Sequence, residues 1–214
     1  EVMSRTIIKL FFYLCILTVL PSYAQNAVHY YFKTMDIRNG LSQNTVYQIL
    51  QDRKGFMWFG TKDGLNRYDG LSYRVYKKEN SGLGKNFITA LYEDHEGNIW
   101  IGTDGGVFIY NPVLDSFTAF NQTSDKGTVI RDFVTMIGSD EYDNIWISVE
   151  NQGLFCYNHE KRLWNYLHDS GMSNVARFWL NESTCWLALY ADNLYYTKDN
   201  FESPLQPFKD ADGN

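Results

Sequence analysis

Residues 94–110 read Asp94-His95-Glu96-Gly97-Asn98-Ile99-Trp100-Ile101-Gly102-Thr103-Asp104-Gly105-Gly106-Val107-Phe108-Ile109-Tyr110. Gly97-Asn98 supplies the positive-φ geometry of a tight turn, and the β-branched and aromatic run Ile99-Trp100-Ile101 suits a strand. Asp104-Gly105-Gly106 turns the chain again, and Val107 to Tyr110 reads as the next strand. The stretch recurs. Asp52-Arg53-Lys54-Gly55-Phe56-Met57-Trp58 leads to Gly64-Leu65-Asn66-Arg67-Tyr68. Asp140-Glu141-Tyr142-Asp143-Asn144-Ile145-Trp146 leads to Gly153-Leu154-Phe155-Cys156-Tyr157. A weaker copy keeps Trp186, followed by Asn193-Leu194. A fixed period decides the architecture before any other signal does.

The anchoring tryptophans Trp58, Trp100, Trp146 and Trp186 stand 42, 46 and 40 residues apart. Gly64, Gly106, Gly153 and Asn193 follow them at six or seven residues, and Asn is the side chain that best tolerates glycine's left-handed geometry. Tyr68, Tyr110 and Tyr157 close the third strand of their units. Ahead of each Trp lies an opening strand: Val46 to Leu50, Ile88 to Tyr92, Val134 to Ile137 and Val175 to Leu180. A last strand carries Tyr73 and Tyr76, Phe117 and Phe120, Leu163 and Tyr166, or Leu205 and Phe208. Each unit is a four-stranded antiparallel meander. The expected fold is all-β, with four β-propeller blades at about 41–81, 82–127, 128–170 and 171–214 of a larger ring. A β-sandwich, the competing arrangement, gives Trp, Gly-Leu and Tyr no reason to repeat in step.

Residues 1–24 read as a secretory signal: Arg5 and Lys9, an apolar run from Leu10 to Leu20, then the small-x-small site Ser22-Tyr23-Ala24. The formal charge is −6 over 214 residues. Cleavage after Ala24 removes two basic residues and one acidic residue and leaves −7, a balance that argues against direct nucleic-acid binding. Cys156 and Cys185 then remain, each flanked by aromatics, and read as two buried thiols. Val28 to Lys33 is strand-like, and Gly40 corresponds to Gly82. Residues 25–40 therefore read as the closing strand of a preceding blade plus a lead-in. That strand has no partner among the four units, so further blades are expected. Open blade faces would otherwise favour association, a dimer included.

The pattern Asp-x-x-Gly-x-Φ-Trp-Φ-Gly-Thr-x-x-Gly-Leu-x-x-Tyr-Asp resembles the regulator-propeller repeat of hybrid two-component sensors in Bacteroidetes. Residues 52–70 match it almost throughout, and 94–110 closely. The third copy departs at Asp143, Ser148 and Val149. The resemblance implies seven-bladed propellers outside the cytoplasm, followed by a β-sandwich, a membrane helix, a histidine kinase, a receiver and a DNA-binding domain. It implies an oligosaccharide signal that controls glycan-utilisation genes, with the kinase and remaining blades as partners in the same regulator.

No catalytic constellation stands out. His29, His95, His159 and His168 are scattered without a second ligand at metal spacing, and Asp210-Ala211-Asp212-Gly213 lacks a downstream acidic ligand. Asp52, Asp94 and Asp140 recur six before each Trp, which suits turn capping rather than a unique acid. No cofactor is implied. A glycan-cleaving propeller is the enzymatic alternative, and a protein-binding scaffold the third reading. In an up-and-down blade, the turn between the second and third strands and the inter-blade loop share one face. There Lys62, Asp63, Asn86, Asp104, Arg131, Asp132, Asn151, Tyr190 and Asp192 offer polar groups for hydroxyls and a ring for C–H surface. The residues that differ between copies are expected to carry specificity.

Overall fold

The computed structural model describes residues 30–158, 160, 162–166, 175–181, 184–190, 194–198, 203 and 205–209. The signal segment 1–24, His29, His159, His168, Asp192, Asn193 and residues 210–214 lie outside them. The chain divides into Glu1–Thr34 and Met35–Asn214. In the first unit, described residues 30–34 have no regular structure, and Tyr30, Tyr31 and Phe32 are exposed. The closing strand expected at Val28 to Lys33 lies partly outside the described residues, and its expected partner belongs to blades other than these four. A strand exists by virtue of its ladder to a neighbour, and 30–33 enter no ladder among the described residues.

The second unit is four sheets, each of four antiparallel strands in chain order. The first blade is β1 (Val46–Gln51), β2 (Met57–Thr61), β3 (Gly64–Tyr68) and β4 (Tyr73–Tyr76). The second is β5 (Ile88–Glu93), β6 (Ile99–Thr103), β7 (Gly106–Asn111) and β8 (Ser116–Ala119). The third is β9 (Val134–Ser139), β10 (Ile145–Val149), β11 (Gly153–Tyr157) and β12 (Leu163–Asn165). The fourth is β13 (Val175–Asn181), β14 (Thr184–Leu189), β15 (Leu194–Thr197) and β16 (Gln206–Pro207). Each anchoring Trp sits at one register position of its second strand: opposite Leu50 and Arg67, Tyr92 and Ile109, Gly138 and Cys156, or Trp179 and Tyr196.

The first strands β1, β5, β9 and β13 touch in succession, so the sheets stack face to face. Trp58, Leu65 and Tyr76 of one blade bury against Ile88, Ile101 and Tyr110 of the next. Burial of such a side chain contributes about 1.5–3 kcal/mol. β6 and β10 are buried along their whole length, whereas β1 alternates between half-buried and exposed, with Ile49 57% exposed. An inner sheet has a neighbour on each face and the first sheet on one, which is why two-sided apolar strands mark the middle of the stack. A 3-10 turn at Ile37–Asn39, capped by Asp36 and ended by left-handed Gly40, leads into the first blade. Leu41 is buried as Leu83 is at the corresponding place. Ser42 N–H donates to Asn66 Oδ1 at 2.8 Å. The lead-in thus has the form of an inter-blade linker.

Candidate functional site

The two ends of the blades are built differently. At one end the repeated Asp closes the first hairpin. Asp52 Oδ1 accepts from the N–H groups of Lys54 and Phe56 at 3.0 and 2.9 Å, and its Oδ2 accepts from Trp58 Nε1–H at 2.7 Å. Asp94 does the same for Asn98 N–H and Trp100 Nε1–H, both at 2.8 Å. Asp140 accepts from Tyr142 and Asn144 N–H and from Trp146 Nε1–H, each at 2.9 Å. One carboxylate thus caps the turn and satisfies an indole donor that burial would otherwise strand. Asp143, at φ 61°, stands where Gly55 and Gly97 stand at φ 87° and 83°, so the departure of the third copy is a tolerated left-handed turn. The fourth copy, with a hairpin one residue shorter, has Asn181 where the Asp stands, two residues past the first-strand partner of its Trp, and Trp186 packs on Tyr196 and Phe208, with ring centroids 5.2 and 5.7 Å away.

The same end carries a charged relay. Arg67 donates to Tyr110 Oη at 3.0 Å, Tyr110 O–H donates to Asp115 Oδ1 at 2.7 Å, and Arg74 pairs with Asp115 Oδ2 at 2.8 Å. Burial raises the Tyr110 hydroxyl pKa, and the Tyr110 hydroxyl bond, followed by Arg74, lowers that of Asp115. Among the described residues, no group of three or more His, Cys, Asp or Glu is placed to hold a metal ion. Cys156 and Cys185 are free and buried, and desolvation pushes each thiol up to about 12.

At the other end, the turn after the second strand meets an inter-blade loop in the first and third blades. Gly64 N–H donates to Asn86 O, and Glu150 N–H to Phe133 O, both at 2.8 Å. Lys62 is exposed, its ammonium 5.8 Å from the centre of the Phe87 ring. Asp63 pairs with Lys77 at 2.6 Å. Asn86 uses its side chain to accept from Lys78 N–H at 2.8 Å and to donate to Glu79 Oε2 at 3.3 Å. Arg131 and Asp132 both turn their N–H groups to Gln152 Oε1. Asp104 and Tyr190 are exposed, and Asn151 is exposed at φ 59°. Lys62, Asp63 and Asn86 therefore share one joint, between the first two blades, and Arg131, Asp132 and Asn151 another, in the third blade.

The sequence reading missed what lies between those joints. Each first strand carries a β-bulge at its second residue: Tyr47, Thr89, Thr135 and Ala176. A bulge re-aims the extra side chain and recurs beside binding sites. Tyr47 meets Phe87 edge-on at 4.8 Å between ring centres, and Phe87 meets Phe133 at 5.6 Å. Thr135 O–H donates to Val175 O at 2.9 Å, whereas the buried Thr89 Oγ1 has no partner among the described residues. The result is a row of three rings, the outermost, Tyr47, 47% exposed, flanked by Lys62. Phe87 and Phe133 directly follow Asn86 and Asp132, a recurrence the sequence offered as a signal.

Residues 40–63 and 82–105 match the model of the two component regulator propeller. Over 54 residues the chain is 44% identical to histidine kinase P4 of Formosa agariphila, a stretch covering 25% of this chain and 4% of that protein. A solved extracellular domain of B. thetaiotaomicron, described as a hybrid two component system, superposes with a TM-score of 0.69 at 25% identity, covering 85% of this chain and 28% of that one. A second, described as a one component system of the same organism, gives 0.67 at 21%, over 86% and 30%. Virginiamycin B lyase of Staphylococcus aureus gives 0.58 at 11%, a likeness of fold alone. The molecule is an all-β stack of propeller blades. Two of its repeats match the two component regulator propeller model, the blades are similar to those of the two extracellular domains, and the chain spans less than a third of the length of those relatives.

Proposed function

We propose that this chain is an extracytoplasmic sensor segment that binds an oligosaccharide and, through the remainder of a hybrid two-component regulator, controls glycan-utilisation genes without performing chemistry itself. The observation that carries the reading is the row Tyr47–Phe87–Phe133, with Lys62 over Phe87, at the variable end of the blades. Ring faces suit the C–H surface of a sugar, and convergent polar groups suit its hydroxyls. The repeat match and the likeness to extracellular sensor domains support the regulatory role. Residues 1–24 serve as the export signal in this reading, and a secreted form beginning at Gln25 by mass spectrometry tests it. The binding test is calorimetric titration with a panel of neutral, acidic and amino oligosaccharides, followed by chromatography of the ligand. Saturable heat with an unchanged ligand is expected. Silence across the panel, or a cleaved product, contradicts the reading.

A further inference from the structure

Where two blades meet at the Asp-turn end, the chain fills one seam and leaves the next open. In the seam between the first and second blades, Arg53 crosses over. Its guanidinium donates to the carbonyl oxygens of Asp94 and His95, both at 2.6 Å, and pairs with Glu93 at 3.1 Å. Its own N–H adds a bond to Glu93 Oε2 at 2.9 Å. This is a built cation seat: two carbonyls and a carboxylate around one planar donor.

One blade further, the residue after the clip aspartate is His95 instead of Arg53, and the residue before the next clip is Ser139 instead of Glu93. An imidazole is shorter than a guanidinium on its three-carbon stem. His95 stays 58% exposed, with Nδ1 3.8 Å from Asp143 Oδ1. Ser139 is taken by Tyr92, whose O–H donates to it at 2.6 Å. The seam holds a cavity of about 410 Å³, against about 300 Å³ in the seam that Arg53 lines. Trp100, Ile109 and Tyr157 form apolar wall, and Glu96, Asp143 and Asn158 bring polar groups to it. Among the described residues the lining contains no lysine or arginine. Asp94 is committed to Trp100 and Asn98, Glu96 Oε2 accepts from Asn98 at 3.2 Å and Asp143 Oδ1 lies by His95, so Glu96 Oε1 and Asp143 Oδ2 are the carboxylate oxygens that can meet a guest.

We propose that the seam between the second and third blades binds an amino sugar through its free ammonium group, held by Glu96 and Asp143 where the residue after the Asp is His95 and does not cross the seam. The ammonium supplies charged donors to the carboxylates, the aromatic wall takes the C–H face of the ring, and the volume falls within the range of small-ligand pockets. The proposal rests on the oligosaccharide reading for its ligand class and adds a second site, remote in character from the Tyr47 row.

The test titrates three disaccharides into the purified chain: β-1,4-linked glucosamine with free amines, its N-acetylated form, and cellobiose. The free-amine form is expected to bind, with acetylation weakening it by about tenfold or more, since the charged hydrogen bonds are lost. His95→Arg, which transplants the plug, is expected to weaken amine binding to the same degree. Asp143→Asn is the second variant should His95→Arg fail to fold, with the same expectation. Equal affinity for free and acetylated forms, or undiminished binding in both variants, overturns the proposal. Binding of cellobiose but not of the amine overturns it while leaving the oligosaccharide reading standing. Silence with all three, together with silence across the wider panel, sinks both. If a short arginine peptide binds here and the amino sugar does not, the seam serves a protein ligand and the proposal is wrong.

Discussion

At the Asp52, Asp94 and Asp140 turns one carboxylate makes the same set of bonds three times, to turn amides and to an indole N–H. At the opposite end, Tyr47, Thr89, Thr135 and Ala176 occupy one bulge position and do different things. The first meets Phe87 edge-on, the second leaves its hydroxyl without a partner among the described residues, and the third ties its blade to β13. The contrast separates two demands on a repeat. Residues that every blade needs in order to turn and pack are held constant, and residues released from that demand are where blades can acquire different contacts.

The largest expected effect lies at the constant end. Trp58, 1% exposed, stacks with Tyr76 and Tyr110, and Trp58→Ala is expected to cost about 3–5 kcal/mol in urea denaturation. Trp186→Ala, in the copy without the aspartate, should cost clearly less; equal costs would erase the distinction between clipped and unclipped blades. Asp94→Ala leaves the indole N–H of buried Trp100 and the N–H of Asn98 without an acceptor, with an expected loss of about 1–3 kcal/mol. A neutral result there would show that the clip is ornamental.

The core between the third and fourth blades gives a pH signature. Cys156 and Cys185 keep their protons in the fold up to about 12, whereas an unfolded thiol releases its proton from about 9. The unfolded state therefore binds fewer protons above pH 9, and stability falls as pH rises, by about 1.4 kcal/mol per thiol at pH 10. Denaturation midpoints from pH 8 to 10 check this, and the Cys156→Ala, Cys185→Ala double variant should flatten that part of the slope. Tyr47→Ala carries the smallest stability effect, within about 0.5 kcal/mol, because the ring is half exposed.

Much of this architecture is legible in the chain because Trp, Gly and Tyr repeat in step, and four meanders follow with strand bounds close to those expected. The Asp six residues before each Trp was readable as a turn cap. Its second bond, to the indole, needs the hairpin in three dimensions. Arg53 and His95 look like interchangeable turn residues until the spacing of adjacent blades shows that one spans the seam and the other stops short. The aromatic row was hidden because a one-residue bulge breaks the alternation from which strand faces are read. Of the sequence-derived candidates, Lys62 and Asn86 lie beside that row, whereas Asp63 is held by Lys77.

The central claim is that the aromatic row at the variable end binds an oligosaccharide and that the repeated Asp–Trp bonds at the other end hold the fold. Its most direct test is paired: titrate the oligosaccharide panel into the unaltered chain and into Tyr47→Ala, and measure urea denaturation of both. The predicted result is affinity reduced by about tenfold or more for the bound sugar with an unmoved denaturation midpoint. Undiminished affinity in Tyr47→Ala, at unchanged stability, would contradict the account.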